Sequence, residues 1–260
     1  MDKFVKLGQD MVLLWSKYKV MYWAGIWNTL KLAFLATLIG CFIGLLCGVL
    51  NTIPYTKKDP LPKRFLLKLL RIIIRIYVEV FRGTPMVLQS VFIYYGLPYF
   101  SNNALRFDNI FAAALLIVAI NTGAYMAESV RGGIISIDPG QTEGAKAIGM
   151  THVQTMLHVI LPQAIRNILP QIGNNFIINI KDSSVLCVLG VSDLMFMTRS
   201  VAGIYYKGTE CYLIAATVYL FLTYLSSLLL KAITGKMTAP DNTKRHQGNQ
   251  TVDLGLPSSN

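Results

Sequence analysis

No GxxxxGK[ST] phosphate loop occurs anywhere in the 260 residues, so the chain should hold no nucleotide by that device. The HExxH zinc motif and the GxSxG nucleophile motif are missing too, which leaves no signature of a metallohydrolase or a serine hydrolase. Cysteine is sparse: Cys41, Cys47, Cys187 and Cys211 have neither a paired metal spacing nor a compact disulfide framework, and they read as small core residues. His152, His158 and His246 are isolated and lack ligand spacing, so no metal site is expected. Charge is scarce as well, at 14% of residues, and lopsided, with Lys+Arg 24 against Asp+Glu 13.

The apolar share is 53%, and it arrives in runs of membrane-spanning length separated by short polar loops. The expected fold class is all-α: a polytopic membrane protein with about five transmembrane helices. A net charge of +11 would point to nucleic acid in a soluble domain. Here the basic residues cluster between the spans, so they read as topology signals and as attraction to anionic lipid headgroups, with no nucleic-acid partner.

Along the chain, Phe4, Leu7, Met11, Leu14, Trp15, Tyr18 and Tyr22 recur every three or four residues with lysines between them, which suits an interfacial amphipathic segment over 1–23. The first apolar run after Lys3 and Lys6 is short and is broken by Lys17 and Lys19, so no cleavable signal peptide is expected. A membrane domain follows over 24–237, and the polar tail over 238–260 has the composition of a disordered segment. The first span, about 24–50, contains Gly40, Gly44 and Gly48, two overlapping GxxxG repeats that let another helix approach closely. The stretch 51–82 is strongly basic, with Lys57, Lys63, Arg64, Lys68, Arg71, Arg75 and Arg82, and by the positive-inside rule it faces the cytoplasm.

Arg82, Gly83, Thr84 and Pro85 interrupt the next apolar segment. Thr84 followed by Pro85 is the chemistry of a helix start, so a discontinuous span is expected, with 86–97 as its second half. A third span is expected over about 109–127, a fourth over 165–191 and a fifth over 212–230. The loops at 98–108 and 190–211 would then lie outside, holding only Arg106, Arg199 and Lys207. This orientation places the amino terminus outside and the carboxyl terminus in the cytoplasm.

Two stretches carry chemistry. In the fourth span Gln171, Asn175, Asn179 and Asp182 fall on one narrow helix face, and Lys181, Asp182 and Ser183 sit in an otherwise apolar run. An ionisable residue there costs roughly 2.5 to 3.5 kcal/mol on insertion scales, which suits the lining of a solute pathway; the competing reading is a set of polar partners that only fixes helix packing. Between the third and fourth spans, Glu143 to Gly149 is helix-forming with a glycine terminator, Thr151 can restart a helix as its cap, and Leu161 and Pro162 mark the approach to the next span. A helix, hinge and helix at that place makes a rigid knob on the cytoplasmic face.

Glu143, Gly144, Ala145, then Gly149, and later Val159, Ile160, Leu161 and Pro162, resemble the EAA signature of permease subunits in binding-protein-dependent ABC importers. RGTP at 82–85, Gln89, YYGLP at 94–98, AYMAESVRGGI at 124–134 and KDSS at 181–184 resemble the polar amino acid branch. The resemblance implies a permease of the bacterial inner membrane that dimerises with itself or with a sister permease. It would rest on a dimer of cytoplasmic ABC ATPases and receive an amino acid from an extracytoplasmic binding protein. The signature stretch would be the coupling helix; ATP and magnesium would belong to the ATPase partner, with no cofactor on this chain and no enzymatic activity of its own. A membrane sensory or scaffold subunit, and an ion-driven secondary transporter, are the alternatives. One departure stands out: Gly144 occupies the second alanine position of the signature.

Overall fold

A computed structural model describes residues 2–57 and 59–237, the side chains of Asp2, Lys236 and Met237 excepted. The tail expected over 238–260 lies outside the described residues. Among the described residues every regular element is helical. The long elements are α1 (Asp2–Thr52), α2 (Leu61–Gly83), α5 (Ile110–Ile135), α8 (Leu161–Asp182), α9 (Leu194–Tyr205) and α10 (Gly208–Met237). Between them stand the short α3 (Met86–Val91), α4 (Leu97–Phe100), α6 (Pro139–Ala147) and α7 (His152–Thr155).

Stretches within α1, α5 and α10 are long and apolar enough to cross a membrane, and His152–Leu189 with Leu194–Tyr205, bent by 52°, forms a fourth crossing if the two parts are one span. The α2 helix falls outside that group because Lys63, Arg64, Lys68, Arg71, Arg75, Glu79 and Arg82 punctuate it.

The centre of the fold is the pairing of α1 with α5. A Cβ placed on Gly40 would come 2.6 Å from Thr122 Cβ, one on Gly44 2.3 Å from Met126 Cβ, and one on Gly48 2.5 Å from Val130 Cγ1. The missing side chains therefore let the backbone of α1 lie in a groove that Thr122, Met126 and Val130 form on α5. The glycine face is occupied within the chain.

The amphipathic segment at the amino terminus is not set apart by a loop. It is the first part of α1, whose path changes at Tyr18, where φ is −113° and ψ 15°. Leu14, Tyr22 and Ile26 are buried with Leu194, Val201, Cys211 and Ile214, and Lys207 Nζ lies 2.6 Å from Asp10 Oδ2. This end of α1 thus packs on α9 and α10 as well as facing outward.

The region 190–211, expected as a loop, contains α9. Gly190, at φ 90°, turns the chain. Buried Asp193 then caps the new helix by accepting from Phe196 N at 2.9 Å. Neighbouring α1 pins this corner: Asn28 Nδ2 donates to Ser192 O at 2.9 Å, and Leu194 N donates to Thr29 Oγ1 at 3.1 Å.

Candidate coupling segment and polar faces

Helix α6 begins because Asp138 Oδ1 accepts from Gly140 N at 2.7 Å and Pro139 stands in the first turn, where no amide hydrogen is needed. It ends in a Schellman arrangement: Met150 N donates to Ala145 O at 3.1 Å and Gly149 N to Lys146 O at 3.0 Å. Gly149 has φ +82°, a conformation that a Cβ disfavours. Thr151 then starts α7 with a reciprocal cap, Gln154 N donating to Thr151 Oγ1 at 3.3 Å and Thr151 N to Gln154 Oε1 at 2.8 Å.

A π turn over Met156–Ile160 carries α7 into α8. Pro162, expected at the approach to the next span, stands in the first turn of α8. Its missing amide hydrogen falls where the changed register and the helix start need none.

One side-chain bond holds the knob against α8, Gln163 Nε2 donating to Gln141 Oε1 at 3.2 Å, and a second, from Asn167 Nδ2 to Ser136 Oγ at 3.3 Å, ties α8 to the end of α5. Ala145 is buried, whereas Glu143, Gly144, Gly149 and Pro162 are exposed and Leu161 is half-buried. Around them Ile148, Val153 and Leu157 are exposed by 79%, 63% and 54%. These apolar side chains form an exposed rim on a firmly closed helix-hinge-helix.

The polar residues of α8 divide. Asn179 is buried between α1 and α5: its Nδ2 donates to Thr37 Oγ1 at 2.9 Å, and its Oδ1 accepts from Thr122 Oγ1 at 3.1 Å. Asn175, also buried, donates from Nδ2 to Gln171 O at 3.0 Å and to Met126 Sδ at 3.2 Å. Lys181 and the Gln171 side chain are exposed, Asp182 is half-buried, and Ser183 is buried with its hydroxyl donating to Ile180 O at 2.9 Å. Lys181 and Asp182 do not pair with each other, the ion pairs among the described residues being Lys63–Asp59, Arg131–Glu128 and Lys207–Asp10. Helical period alone put these side chains on one face, yet its middle is shut inside the protein and its ends are open.

At the break, α2 stops at Gly83, Thr84 and Pro85 are extended, and α3 starts at Met86. Thr84 serves the helix before it rather than the one after, its Oγ1 donating to Val80 O at 2.7 Å. Gln89 closes the gap. Its Nε2 lies 2.9 Å from each of the acceptors Phe81 O, Thr84 O and Thr84 Oγ1, and its Oε1 accepts from Asn121 Nδ2 at 2.9 Å. The backbone carbonyls freed by the break are thereby satisfied, and the break is tied to α5. Arg82 turns its guanidinium over the Tyr125 ring at 5.5 Å.

One surface escaped the sequence reading. The basic stretch 51–82 is mostly the helix α2, and Lys68, Arg71, Arg75, Glu79 and Arg82 follow one another every three or four residues. They line a cavity of about 1060 Å³ with Asn51, Thr52, Tyr55, Glu128 and Arg131. Leu67, Ile74 and Val78 bury the adjacent side of α2. The charge spacing was itself the helical signal.

In the loop before α2, the Lys63 ammonium and then the Thr56 amide hold the half-buried Asp59 carboxyl below the usual range, the contacts being 2.7 Å each.

The family model for the binding-protein-dependent transport system inner membrane component matches residues 60–239. The chain is 34% identical over 222 residues to the glutamine transport system permease protein GlnP of Escherichia coli (strain K12), across 83% of this chain and 97% of that protein. It is 32% identical over 220 residues to the arginine transport system permease protein ArtQ of Bacillus subtilis (strain 168), across 84% of this chain and 92% of that one. Among solved structures, an amino acid ABC transporter crystallised with histidines matches with a TM-score of 0.74 at 37% identity, over 86% of this chain and 97% of its counterpart. The inward-facing MetNI methionine ABC transporter matches in fold, with a TM-score of 0.68 at 21% identity over 85% of this chain and 98% of that one.

Proposed function

The chain belongs to the family of binding-protein-dependent transport system inner membrane components, and from that premise we propose that it forms half of the translocation path of an ATP-driven amino acid importer. It is a transport permease subunit of a membrane, with apolar helices to match. In this reading α6, the Gly149 hinge and α7 dock on one subunit of a cytoplasmic ABC ATPase dimer, which binds ATP and magnesium. Glu143, Gly144, Ala145, Gly149, Leu161 and Pro162 belong to the docking and hinge segment. A second permease, identical or a sister chain, completes the path, and an extracytoplasmic binding protein delivers the amino acid.

The observation that carries the proposal is the construction of the coupling segment. Both its helices are capped, its turn is closed by a glycine at positive φ, and its apolar rim is exposed while Gln163 of α8 bonds to Gln141 of α6 and α7 runs on through the π turn into α8. A segment so held moves as one body with α8, and α8 carries the intramembrane groups. Gln171, Lys181 and Asp182, open or half-open, are the members of the polar face that we assign to the solute; Asn175, Asn179 and Ser183 hold the helix that presents them. Arg82 to Pro85 form the break that lets α2 and α3 make a fifth crossing. The basic residues of 57–82 and those after α10 favour a cytoplasmic carboxyl terminus and an outer amino terminus.

The test is uptake of labelled amino acids into proteoliposomes holding this chain, its co-purifying ATPase and the binding protein, beside a Gly149→Pro variant. Proline removes the amide that closes the turn and cannot adopt its φ. ATP-dependent uptake that the variant loses in an assembled complex is the expected result. Uptake that ignores ATP would overturn the proposal in favour of an ion-driven carrier.

A further inference from the structure

We propose that the basic cavity between α1, α2 and α5 binds the phosphate headgroup of an anionic phospholipid, whose acyl chains lie on the exposed apolar face of α2. The cavity, about 1060 Å³, is lined by Lys68, Arg71, Arg75, Arg82 and Arg131 against the carboxylates of Glu79 and Glu128. Glu128 is already engaged, since Arg131 Nε donates to its Oε2 at 3.0 Å and a second bond closes the fork. Neither Lys68 nor Arg75 has an ion-pair partner among the described residues. The cavity is therefore left with more donors than acceptors.

Arg71 shows this most directly. Its Nη2 donates to Ile53 O at 2.5 Å and its guanidinium lies 4.6 Å from the Tyr55 ring centroid, so the group is held in place. Its Nε is buried and has no acceptor among the described residues. A buried donor without a partner is costly unless a ligand or water accepts from it, and a phosphate oxygen suits a guanidinium in geometry and charge.

What distinguishes a lipid from a soluble phosphate is the neighbouring surface. About 100° of helix rotation per residue places the charged stripe of α2 between its buried side and a broad apolar side. Ile72, Ile76 and Val80 on that apolar side are exposed by 47%, 57% and 48%, and Ile72 also lines the cavity. Headgroup pocket and acyl surface are thus continuous, as basic pockets between membrane helices require for lipid binding.

The full chain, purified in a neutral detergent and stripped of lipid, is titrated with short-chain phosphatidylglycerol, with phosphatidylcholine of equal chain length and with inorganic phosphate. Bound lipid is counted by native mass spectrometry. Phosphatidylglycerol is expected to saturate one site per chain with a preference of at least roughly tenfold over phosphatidylcholine. The double variant Lys68→Gln with Arg75→Gln should lose that preference, Arg75→Lys should keep it, and Glu79→Gln should bind more tightly, a gain that misfolding would not produce. An unchanged preference in the double variant, displacement of the lipid by inorganic phosphate at similar concentration, or displacement by a free amino acid would each overturn the assignment. The last two outcomes would make the cavity a soluble-anion site or a translocation vestibule.

Discussion

Gly44 of α1 faces Met126 of α5 so closely that a Cβ on the glycine would stand 2.3 Å from the methionine Cβ. The two helices meet through backbone rather than through interleaved side chains at this level. A dispersion-driven contact of this kind is how membrane helices associate when no hydrophobic effect separates them from lipid.

Replacing Gly44 by valine should therefore drive α1 away from α5, costing about 1–3 kcal/mol for the overpacking. Thermal unfolding of the purified chain reads the loss. Combining the change with Met126→Gly should recover part of it, because the methionine Cβ that the new side chain would strike is then gone. Additive losses in the double variant would show that Gly44 does not act through Met126.

The polar face of α8 predicts a separation of stability from transport. Asn179→Ala strips the hydroxyls of Thr37 and Thr122 of their shared partner, and should lower stability by about 1 kcal/mol, within the range measured for polar contacts between membrane helices. Asp182→Asn and Lys181→Gln remove no protein ion pair, so unfolding should barely shift while uptake falls. Equal loss of stability in all three variants would count against assigning the open ends of the face to the solute.

Acid should act on the loop before α2. Because the Asp59 carboxyl is held below its ordinary range, its contribution is present above the unfolded value of about 3.9 and disappears as pH falls through the lower folded value. The difference in thermal midpoint between the wild type and Asp59→Asn should thus be steady near neutrality and shrink below about pH 4. A difference that grows on acidification would contradict the sign of the shift.

Punctuation was the most legible part of the chain. Gly149 and Thr151 declare a hinge through their own backbone and hydroxyl chemistry, and the extended residues after Gly83 follow from Thr84 and Pro85, because these effects are local. What the apolar and polar faces meet was less legible. Asn179 and Asp182 share a helical face, but only the position of Thr37 and Thr122 on other helices decides that one is buried and satisfied while the other is half-open. The α9 helix was not foreseen although Asp193 ahead of Leu194 is an ordinary capping signal, and in α2 the charge outweighs the seven-and-four spacing of Leu67, Ile74 and Val78.

The helix-hinge-helix of α6 and α7 gives the final prediction, from two glycines that do different things. Gly149→Ala forces a side chain into a left-handed backbone, a strain of roughly 1–2 kcal/mol, so ATP hydrolysis by an assembled complex should survive better than uptake does. Gly144 sits inside α6 with helical neighbours, and a Cβ there would meet nothing within 4 Å. Gly144→Ala should consequently firm the helix by about 0.5–1 kcal/mol and leave uptake intact. If uptake instead falls while the isolated chain is as stable as before, the added methyl group must collide with something outside this chain. Loss of ATPase co-purification with Gly144→Ala would then place the partner's surface against the α6 backbone at this position, and a smaller residue on the facing ATPase surface should restore it.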